Sequence, residues 1–334
     1  MRARFAPSPT GDLHLGGAYV ALAAWVRVRA SGGAFVLRVE DLDSQRTVPG
    51  AVERILADLA WLGLDWDEGP DTGGPFAPYV QSERLALYED ALRRLSRRDL
   101  VYPCTCSRTE IARIASAPHV GEEGPVYPGL CRDPAHRRTD RKPASRLRIP
   151  DDDSRTVRFV DLVCGPQEQD VLAAVGDFVL RRADGQFSYQ LAVTVDDLAM
   201  GITEVVRGDD LLSSTARQIL LARLLGCSPP AYLHVPVVLG PDGERLAKRH
   251  QTRWHGSTVA ELREAGIRPE QVLGALGAAL GLLEPEISDP GARTGAGRVE
   301  ATPAELVDAM GRGALKPVSS WTAPADWVRP RQGS

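Results

Sequence analysis

The chain has 334 residues, of which 43% are apolar and 25% are charged, and its formal net charge is −4. This balance excludes an intrinsically disordered chain and argues against a generic nucleic-acid coat protein. No apolar run is long enough to span a membrane, and residues 1–11 contain no apolar signal segment. We therefore expect a cytoplasmic protein without a membrane partner.

The first part of the chain alternates between strand and helix patterns. The patterns predict strands over 2–6 and 34–39, and helices over 14–29, after Pro49 and over 82–98. The run at 34–39 has no polar face, as expected of a strand that is buried on both sides. This alternation predicts an α/β fold with a doubly wound parallel sheet.

From Cys104 to about residue 160 the chain is rich in Pro, Gly and Arg and poor in periodic apolar positions, which indicates an insertion with little core of its own. Further along, the predicted strands are 178–181, 189–195, 202–207 and 232–239, and the predicted helices are 213–225, 259–265, 271–283 and 303–310. Asp196 and Asp197 are expected to end the strand at 189–195. The segment 285–300 resembles a linker, and we expect the tail from Pro324 to be frayed.

The segment Arg4–Gly17 joins a strand, a rigid proline turn and a helix that begins near His14. The first turn of a helix presents unpaired N–H groups and a partial positive charge, which suit a phosphate group. Gly16 and Gly17 would let a flat ligand approach the backbone, and His14 could donate to a phosphate oxygen. Taken alone, the segment is equally an ordinary turn with a capping histidine.

Residues 240–249 form a glycine-containing turn that is followed by Arg245, Lys248 and Arg249. Such a loop could close over a triphosphate as charge moves to the leaving group, or it could be a solvated basic turn. The chain has only three lysines among 40 basic residues. A lysine at position 248 therefore hints that a compact ammonium group is needed there.

Three further segments carry charged or phenolic groups near predicted strands. They are residues 38–43, with Arg38 and three carboxylates; residues 187–190, with Tyr189; and residues 204–210, with Arg207. The carboxyl end of a strand in an open parallel sheet is where ligands bind. Each segment by itself is also compatible with a salt bridge at a strand end or with a core tyrosine.

Cys104, Cys106 and Cys131 lie within about 30 residues in the insertion that lacks a core. Three thiolates in such a segment predict one structural zinc ion per chain, whereas the alternative is a set of unpaired thiols. The residue types leave the fourth ligand open between Tyr127, His119 and His136. A basic stretch over 132–158 could face a phosphate backbone or could simply be a solvated surface.

Together these segments resemble a class I aminoacyl-tRNA synthetase of the glutamyl subclass. Arg4–Gly17 is similar to the family's RFAPSPTGxLHxGG start, with His14–Gly17 in the place of its HIGH signature, and Arg245–Arg249 resembles its KMSKS loop. The segments RVEDLD, FSYQLA and EVVRGDD match its glutamate pocket in order.

The resemblance implies a class I Rossmann-type parallel sheet with an inserted zinc-bearing segment and a small helical C-terminal part. The implied parts are residues 1–103 and 161–249 as the two halves of the catalytic domain, residues 104–160 as the insertion, and residues 250–334 as a stem-contact-like helical region and tail.

The resemblance also implies ATP-dependent activation of L-glutamate, with Mg²⁺ accompanying ATP, followed by transfer to a tRNA. The implied glutamate-binding residues are Arg4, Phe5, Ala6, Pro7, Ser8, Glu40, Tyr189 and Arg207. The implied ATP-binding residues are His14, Gly16, Gly17, Arg245 and Lys248, of which His14, Gly16 and Lys248 are the catalytic ones. Glu40 would hold the substrate ammonium group, and Arg207 with Tyr189 would read the side-chain carboxylate. Gly17 replaces the last His of the HIGH signature, which the glutamyl subclass tolerates. Arg245 and Ala247 replace a Lys and a Ser of the mobile loop, which keeps its key lysine, Lys248.

Only 85 residues follow Arg249, which is short for an anticodon-reading module. The chain therefore resembles a truncated paralogue that activates glutamate without tRNA and attaches it to the queuosine of tRNA(Asp), and we expect it to be a monomer. The zinc site of that paralogue takes Cys, Cys, Tyr and Cys, which favours Tyr127 as the fourth ligand.

Three alternatives remain at this point. The first is a shortened synthetase that charges the 3′ end of tRNA(Glu) or tRNA(Gln). The second is a catalytically inactive RNA-binding paralogue, although the joint presence of Arg4, His14, Glu40 and Lys248 argues against it. The third is another nucleotidyl-transfer enzyme of the same fold, which the glutamate-pocket segments disfavour.

Overall fold

The structure is a computed structural model that describes residues 1–107, 109–111, 126–246, 254–284, 300–313 and 315–330. Its helices are α1 (Leu15–Ala30), α2 (Ala51–Trp61), α3 (Leu85–Ser96), α4 (Val171–Ala174), α5 (Tyr189–Ala199), α6 (Leu212–Leu224), α7 (Val259–Glu264), α8 (Pro269–Ala279) and α9 (Pro303–Arg312). Its strands are β1 (Arg2–Phe5), β2 (Ala34–Leu37), β3 (Val101–Cys104), β4 (Ala144–Leu147), β5 (Thr156–Asp161), β6 (Gly165–Asp170), β7 (Val179–Arg181), β8 (Glu204–Gly208), β9 (Ala231–Val235), β10 (Val238–Leu239), β11 (Trp254–His255), β12 (Trp321–Thr322) and β13 (Arg329–Pro330).

The centre of the fold is a six-stranded sheet in the order β2-β1-β8-β9-β5-β6. Every neighbouring pair is parallel except the β5–β6 hairpin. Successive residues of β2 belong to different hydrophobic cores. Phe35 and Leu37 pack with α1 and α2, whereas Val36 packs with α3 and α5. The sheet is therefore covered on both faces, as the apolar run at 34–39 predicts.

The prediction of a strand over 189–195 is wrong, because these residues form the first part of α5. Ser188 caps this helix by accepting a hydrogen bond from the backbone N–H of Leu191 at 3.3 Å. Leu191–Asp197 are all buried, and every residue from Leu191 to Val195 is apolar or β-branched, so this run resembles a buried strand as much as a buried helix. Asp196 and Asp197 lie inside the helix and are buried.

The segment between α3 and α5 contributes a second, antiparallel sheet in the order β3-β4-β7. A small cluster of buried residues lies beside it. The cluster consists of Tyr102, Cys104, Ile111, Tyr127 and Cys131. It is separate from the two large cores, which agrees with the low apolar content of this part of the chain.

The prediction of a frayed tail is wrong for residues 324–330. β12 pairs with β10, and β13 pairs with β11, so the C-terminal segment binds the strands on both sides of residues 240–253. Val328 is buried, and a Cβ atom at Gly256 would lie only 1.8 Å from the carbonyl oxygen of Trp327. The predicted linker at 285–300 lies outside the described residues except for Glu300. Among the helices that the structure describes, none has the length and apolarity needed to cross a bilayer.

Candidate active site

A cavity of about 880 Å³ opens where β1, β8 and β9 end and α1 begins. Twelve of the thirteen sequence-predicted glutamate and ATP residues line it: Arg4, Phe5, Ala6, Pro7, Ser8, His14, Gly16, Gly17, Glu40, Tyr189, Arg207 and Arg245. The thirteenth, Lys248, lies outside the described residues. The fold thus brings residues as far apart in the chain as Arg4 and Arg245 to one cavity.

Arg4 enters this cavity from β1 and is held by a carboxylate that the sequence analysis did not assign to the site. Its Nε donates to Oδ1 of Asp197 at 2.9 Å, and the same oxygen accepts from Nη1 of Arg38 at 2.7 Å. Arg38 also donates to Oε1 of Glu40 at 3.0 Å. All four side chains are at most 10% exposed. Burial of such charges is tolerated because each one is paired.

The carboxylates of this network respond differently to their surroundings. Burial raises the pKa of Glu40, and the opposing influence of Arg38 and Arg4 does not cancel it. Burial also acts to raise the pKa of Asp197, but Arg4 and Arg38 outweigh it and the pKa falls below its ordinary value. Asp197 is therefore a permanent anion that neutralises the arginines, whereas Glu40 is the carboxylate that gains most from a cationic ligand.

Arg207 enters from β8 and is bound differently. Its Nη1 donates to Oε1 of Gln218 at 2.8 Å, and its Nη2 donates to Oγ1 of Thr215 at 2.9 Å and to the carbonyl oxygen of Leu211 at 3.2 Å. The hydroxyl group of Tyr189 lies 3.5 Å from Nη1. Among the described residues, no carboxylate forms an ion pair with Arg207, so its positive charge is available to an anionic ligand at the cavity.

His14 caps the N-terminus of α1, and its Nδ1 accepts a hydrogen bond from the backbone N–H of Gly17 at 3.0 Å. In the neutral imidazole the proton then lies on Nε2, which is the donor that a phosphate oxygen requires. A Cβ atom at Gly16 would lie 3.1 Å from Nδ1 of His14 and 3.6 Å from the carbonyl oxygen of Leu246. Glycine at this position therefore keeps the first turn of α1 open beside the loop.

Arg245 lies at the start of the predicted mobile loop and forms an ion pair with Asp210 at 2.6 Å. The backbone N–H of Leu246 donates to the carbonyl oxygen of Val238 at 2.7 Å, and the Leu246 side chain is buried. The loop is thus fixed to the body of the protein up to residue 246. Ala247, Lys248 and Arg249 lie outside the described residues.

The four predicted zinc ligands converge in the small cluster beside β3. The Sγ atoms of Cys104, Cys106 and Cys131 lie within 4.8 Å of one another. The hydroxyl oxygen of Tyr127 lies 3.3 Å from Sγ of Cys104 and 3.8 Å from Sγ of Cys106. Three soft thiol donors and one phenol oxygen around one point fit a closed four-coordinate zinc site.

The histidines that competed with Tyr127 do not reach this point in the part of the chain that is described. The side chain of His136 is 55% exposed and lies 3.5 Å from Asp133, and His119 is outside the described residues. The ring of Tyr127 is also fixed from its other side, because the guanidinium carbon of Arg146 lies 3.8 Å from the ring centroid.

Five of the nine basic residues in the stretch at 132–158 form ion pairs with neighbouring acids. Its ion pairs are Arg132 with Asp151 and Asp177, Arg138 with Glu110 and Asp140, Arg141 with Glu110, Arg155 with Asp170, and Arg158 with Glu168. These contacts favour the solvated-surface interpretation over a continuous phosphate-binding face.

Asp197, Gln218, Thr215 and His234 were not predicted as site residues. Asp197 follows Asp196 inside an apolar run, and His234 interrupts another one. An isolated polar residue in such a run is a signal for a buried partner. The partners themselves, Arg4 and Arg207, lie on other strands and are not visible from local sequence.

The chain is also similar to known proteins. Residues 1–284 match the family described as tRNA synthetases class I (E and Q), catalytic domain. The chain is 53% identical over 288 residues to a glutamyl-Q tRNA(Asp) synthetase of Symbiobacterium thermophilum, an alignment that covers 84% of this chain and 87% of that protein. It is 50% identical over 289 residues to the protein of the same name from Nitratidesulfovibrio vulgaris, with coverage of 85% and 87%.

A solved structure extends the likeness to three dimensions. The glutamate-tRNA synthetase of Elizabethkingia anophelis superposes with a TM-score of 0.74 at 30% sequence identity. The match covers 92% of this chain but only 65% of that synthetase. The chain therefore belongs to the class I tRNA synthetases of the glutamyl and glutaminyl type, in the group of the glutamyl-Q tRNA(Asp) synthetases.

Proposed function

We propose that this enzyme activates L-glutamate with ATP in the absence of tRNA and then transfers the glutamyl group to the queuosine of tRNA(Asp). The observation that carries the first step is Arg207, a buried cation without a carboxylate partner among the described residues, facing the same cavity as the His14 helix cap. The acceptor is inferred from the names of the relatives that are about half identical to this chain.

In this proposal, the side-chain carboxylate of glutamate binds Arg207 and the hydroxyl group of Tyr189. Glutamine would place an amide N–H where the site offers donors, so it would bind more weakly. Glu40 binds the ammonium group, and Arg4 and Ser8 orient the rest of the amino acid. Phe5, Ala6 and Pro7 provide the wall of the cavity.

ATP would bind at the start of α1, with phosphate oxygens facing Nε2 of His14 and the backbone at Gly16 and Gly17. An α-carboxylate oxygen of glutamate attacks the α-phosphorus, and the bond from that phosphorus to the bridging oxygen of pyrophosphate breaks. Arg245 and Lys248 would stabilise the charge that leaves with pyrophosphate. The protein contributes orientation and electrostatic stabilisation rather than a covalent nucleophile.

We also propose that Cys104, Cys106, Tyr127 and Cys131 hold one structural zinc ion. The supporting observation is the convergence of three thiols and one phenol oxygen in a cluster with little other apolar material. A zinc ion there would crosslink β3 to the segment around Cys131 and so stabilise an insertion that has only a small core.

The proposal is tested with the purified protein and radiolabelled glutamate. We expect ATP–pyrophosphate exchange that depends on glutamate and needs no tRNA, and label on queuosine-containing tRNA(Asp) but not on queuosine-free tRNA(Asp). Arg207→Gln should abolish exchange, whereas Arg223→Gln, a change at an exposed arginine of α6, should not. Label at the 3′ end of tRNA(Glu) would instead identify an acceptor-charging synthetase, and absence of both exchange and tRNA labelling would identify an inactive paralogue.

A further inference from the structure

Three neighbouring strands of the central sheet place Arg207, His234 and Asp161 in a row. Arg207 on β8 is the register partner of His234 on β9, and Asp161 at the end of β5 is the register partner of Tyr232 on β9. The side chains of His234 and Asp161 are fully buried. Neither residue lines the cavity, so both lie behind Arg207 as seen from the ligand site.

The hydrogen bonds of this row fix the protonation state of the histidine. Nε of Arg207 lies 3.0 Å from Nε2 of His234, and because Nε can only donate, Nε2 must accept. The proton of the neutral imidazole is then on Nδ1, which donates to Oδ2 of Asp161 at 2.6 Å. Burial lowers the pKa of His234, and Arg207 acts in the same direction. The backbone N–H groups of Val163 and Cys164 donate to Oδ1 of Asp161, at 3.0 and 2.8 Å.

This arrangement orients the side chain of Arg207 without neutralising its charge. A carboxylate bonded directly to Arg207 would compete with a carboxylate of the substrate. A neutral imidazole between Arg207 and Asp161 fixes the plane of the guanidinium group without placing a negative charge next to it, so Arg207 keeps its net positive charge for an anionic ligand. Arg4, in contrast, is bonded directly to Asp197.

We propose that Asp161 and His234 are positioning residues that orient Arg207 toward the side-chain carboxylate of the amino-acid substrate, and that they thereby set the preference for glutamate over glutamine. The inference rests on the proposed function, since it assigns that carboxylate to Arg207. In Asp161→Asn, the amide group would donate to Nδ1 and move the histidine proton to Nε2, where it faces the N–H of Arg207. In His234→Phe, the aromatic ring remains but both hydrogen bonds are lost.

The test measures ATP–pyrophosphate exchange for these two variants and for the double variant. We expect the KM for glutamate to rise about tenfold or more, as for a lost buried hydrogen bond to a charged group, with the KM for ATP changed less than about twofold. The ratio of kcat/KM for glutamate over glutamine should fall. The double variant should be no worse than either single variant, because Asp161 acts through His234.

Asp177→Asn is the matched control, since Asp177 is equally buried and hydrogen-bonded but belongs to the β3-β4-β7 region. It should lower the melting temperature without raising the KM for glutamate. Folded Asp161 and His234 variants with an unchanged KM for glutamate and unchanged selectivity would overturn the inference.

A second measurement uses the unaltered protein and is independent of the variants' folding. In ¹⁵N-histidine NMR spectra at neutral pH, we expect His234 to be the Nδ1–H tautomer, whereas an Nε2–H tautomer or an imidazolium would overturn the inference. Absence of exchange in the unaltered protein would instead reject the proposed function, and the two failures are therefore distinguishable.

Discussion

Oδ1 of Asp197 lies 2.9 Å from Nε of Arg4, so a buried ion pair joins the end of α5 to β1 at the base of the cavity. The residues are 193 positions apart in the chain. The same oxygen binds Arg38, which in turn binds Glu40. One carboxylate thus fixes the positions of the two groups that we assign to the amino acid on this side of the site.

Asp197→Asn should be strongly destabilising, because it leaves Arg4 and Arg38 buried without their shared anion. We expect the free energy of unfolding in urea to fall by about 3 kcal/mol. The KM for glutamate in the exchange assay should also rise. Asp184→Asn removes an exposed partner of Arg182 and should cost less than about 1 kcal/mol. Equal losses in the two variants would contradict this account.

The pH dependence of the exchange reaction should report Glu40. An ammonium group binds the ionised carboxylate, and protonation removes that partner as the pH falls. Because burial raises the pKa of Glu40, the loss begins at a higher pH than for an exposed glutamate. We therefore expect kcat/KM for glutamate to decrease over an acidic pH interval that begins above the ordinary titration range of a glutamate side chain.

Glu40→Gln should have a lower kcat/KM with a shallower slope over the same interval. Glu53→Gln, at an exposed position of α2, should keep the slope of the unaltered protein. If the Glu40 variant retained the full slope, another group would be responsible for it.

Metal analysis of the purified protein should find about one zinc ion per chain. Cys106→Ser and Cys131→Ser should lower this content and increase backbone hydrogen exchange in β3 and β4, because the remaining cluster is too small to order the insertion alone. Cys227→Ser, at a half-buried thiol outside the cluster, should change neither quantity. Metal-free protein with full exchange protection in β3 and β4 would reject the zinc site.

We expect the C-terminal segment that contains Trp321 to contribute to ATP binding. Trp321 pairs with Val238, and its ring stacks on Tyr19 with centroids 6.4 Å apart; Tyr19 and Val238 both line the cavity. Trp321→Ala should raise the KM for ATP about three- to tenfold, the range expected for a lost aromatic pair, and should leave the KM for glutamate nearly unchanged.

Val318→Ala is the control for this variant, since Val318 belongs to the same segment but is 43% exposed. It should behave like the unaltered protein. Equal increases in the two KM values for Trp321→Ala would show that the segment stabilises the whole domain rather than the ATP side.

The amino-acid sequence by itself determined most of the alternation of strands and helices, the segments that line the cavity and the three cysteines that converge beside β3, whereas only the resemblance favoured Tyr127 over the histidines. These features depend on local periodicity, on residue type and on spacing, which a single chain displays directly. The tertiary structure decided what depends on contacts between distant segments. It made residues 189–199 a helix, since the buried, β-branched run at 191–195 suits a strand as well as a helix, and it paired residues 321–330 with β10 and β11. It also joined Arg207 to His234 and His234 to Asp161, which are 27 and 73 positions apart in the chain. The sequence of a single strand does not specify which parallel strands lie beside it, so these contacts could not be predicted from local sequence.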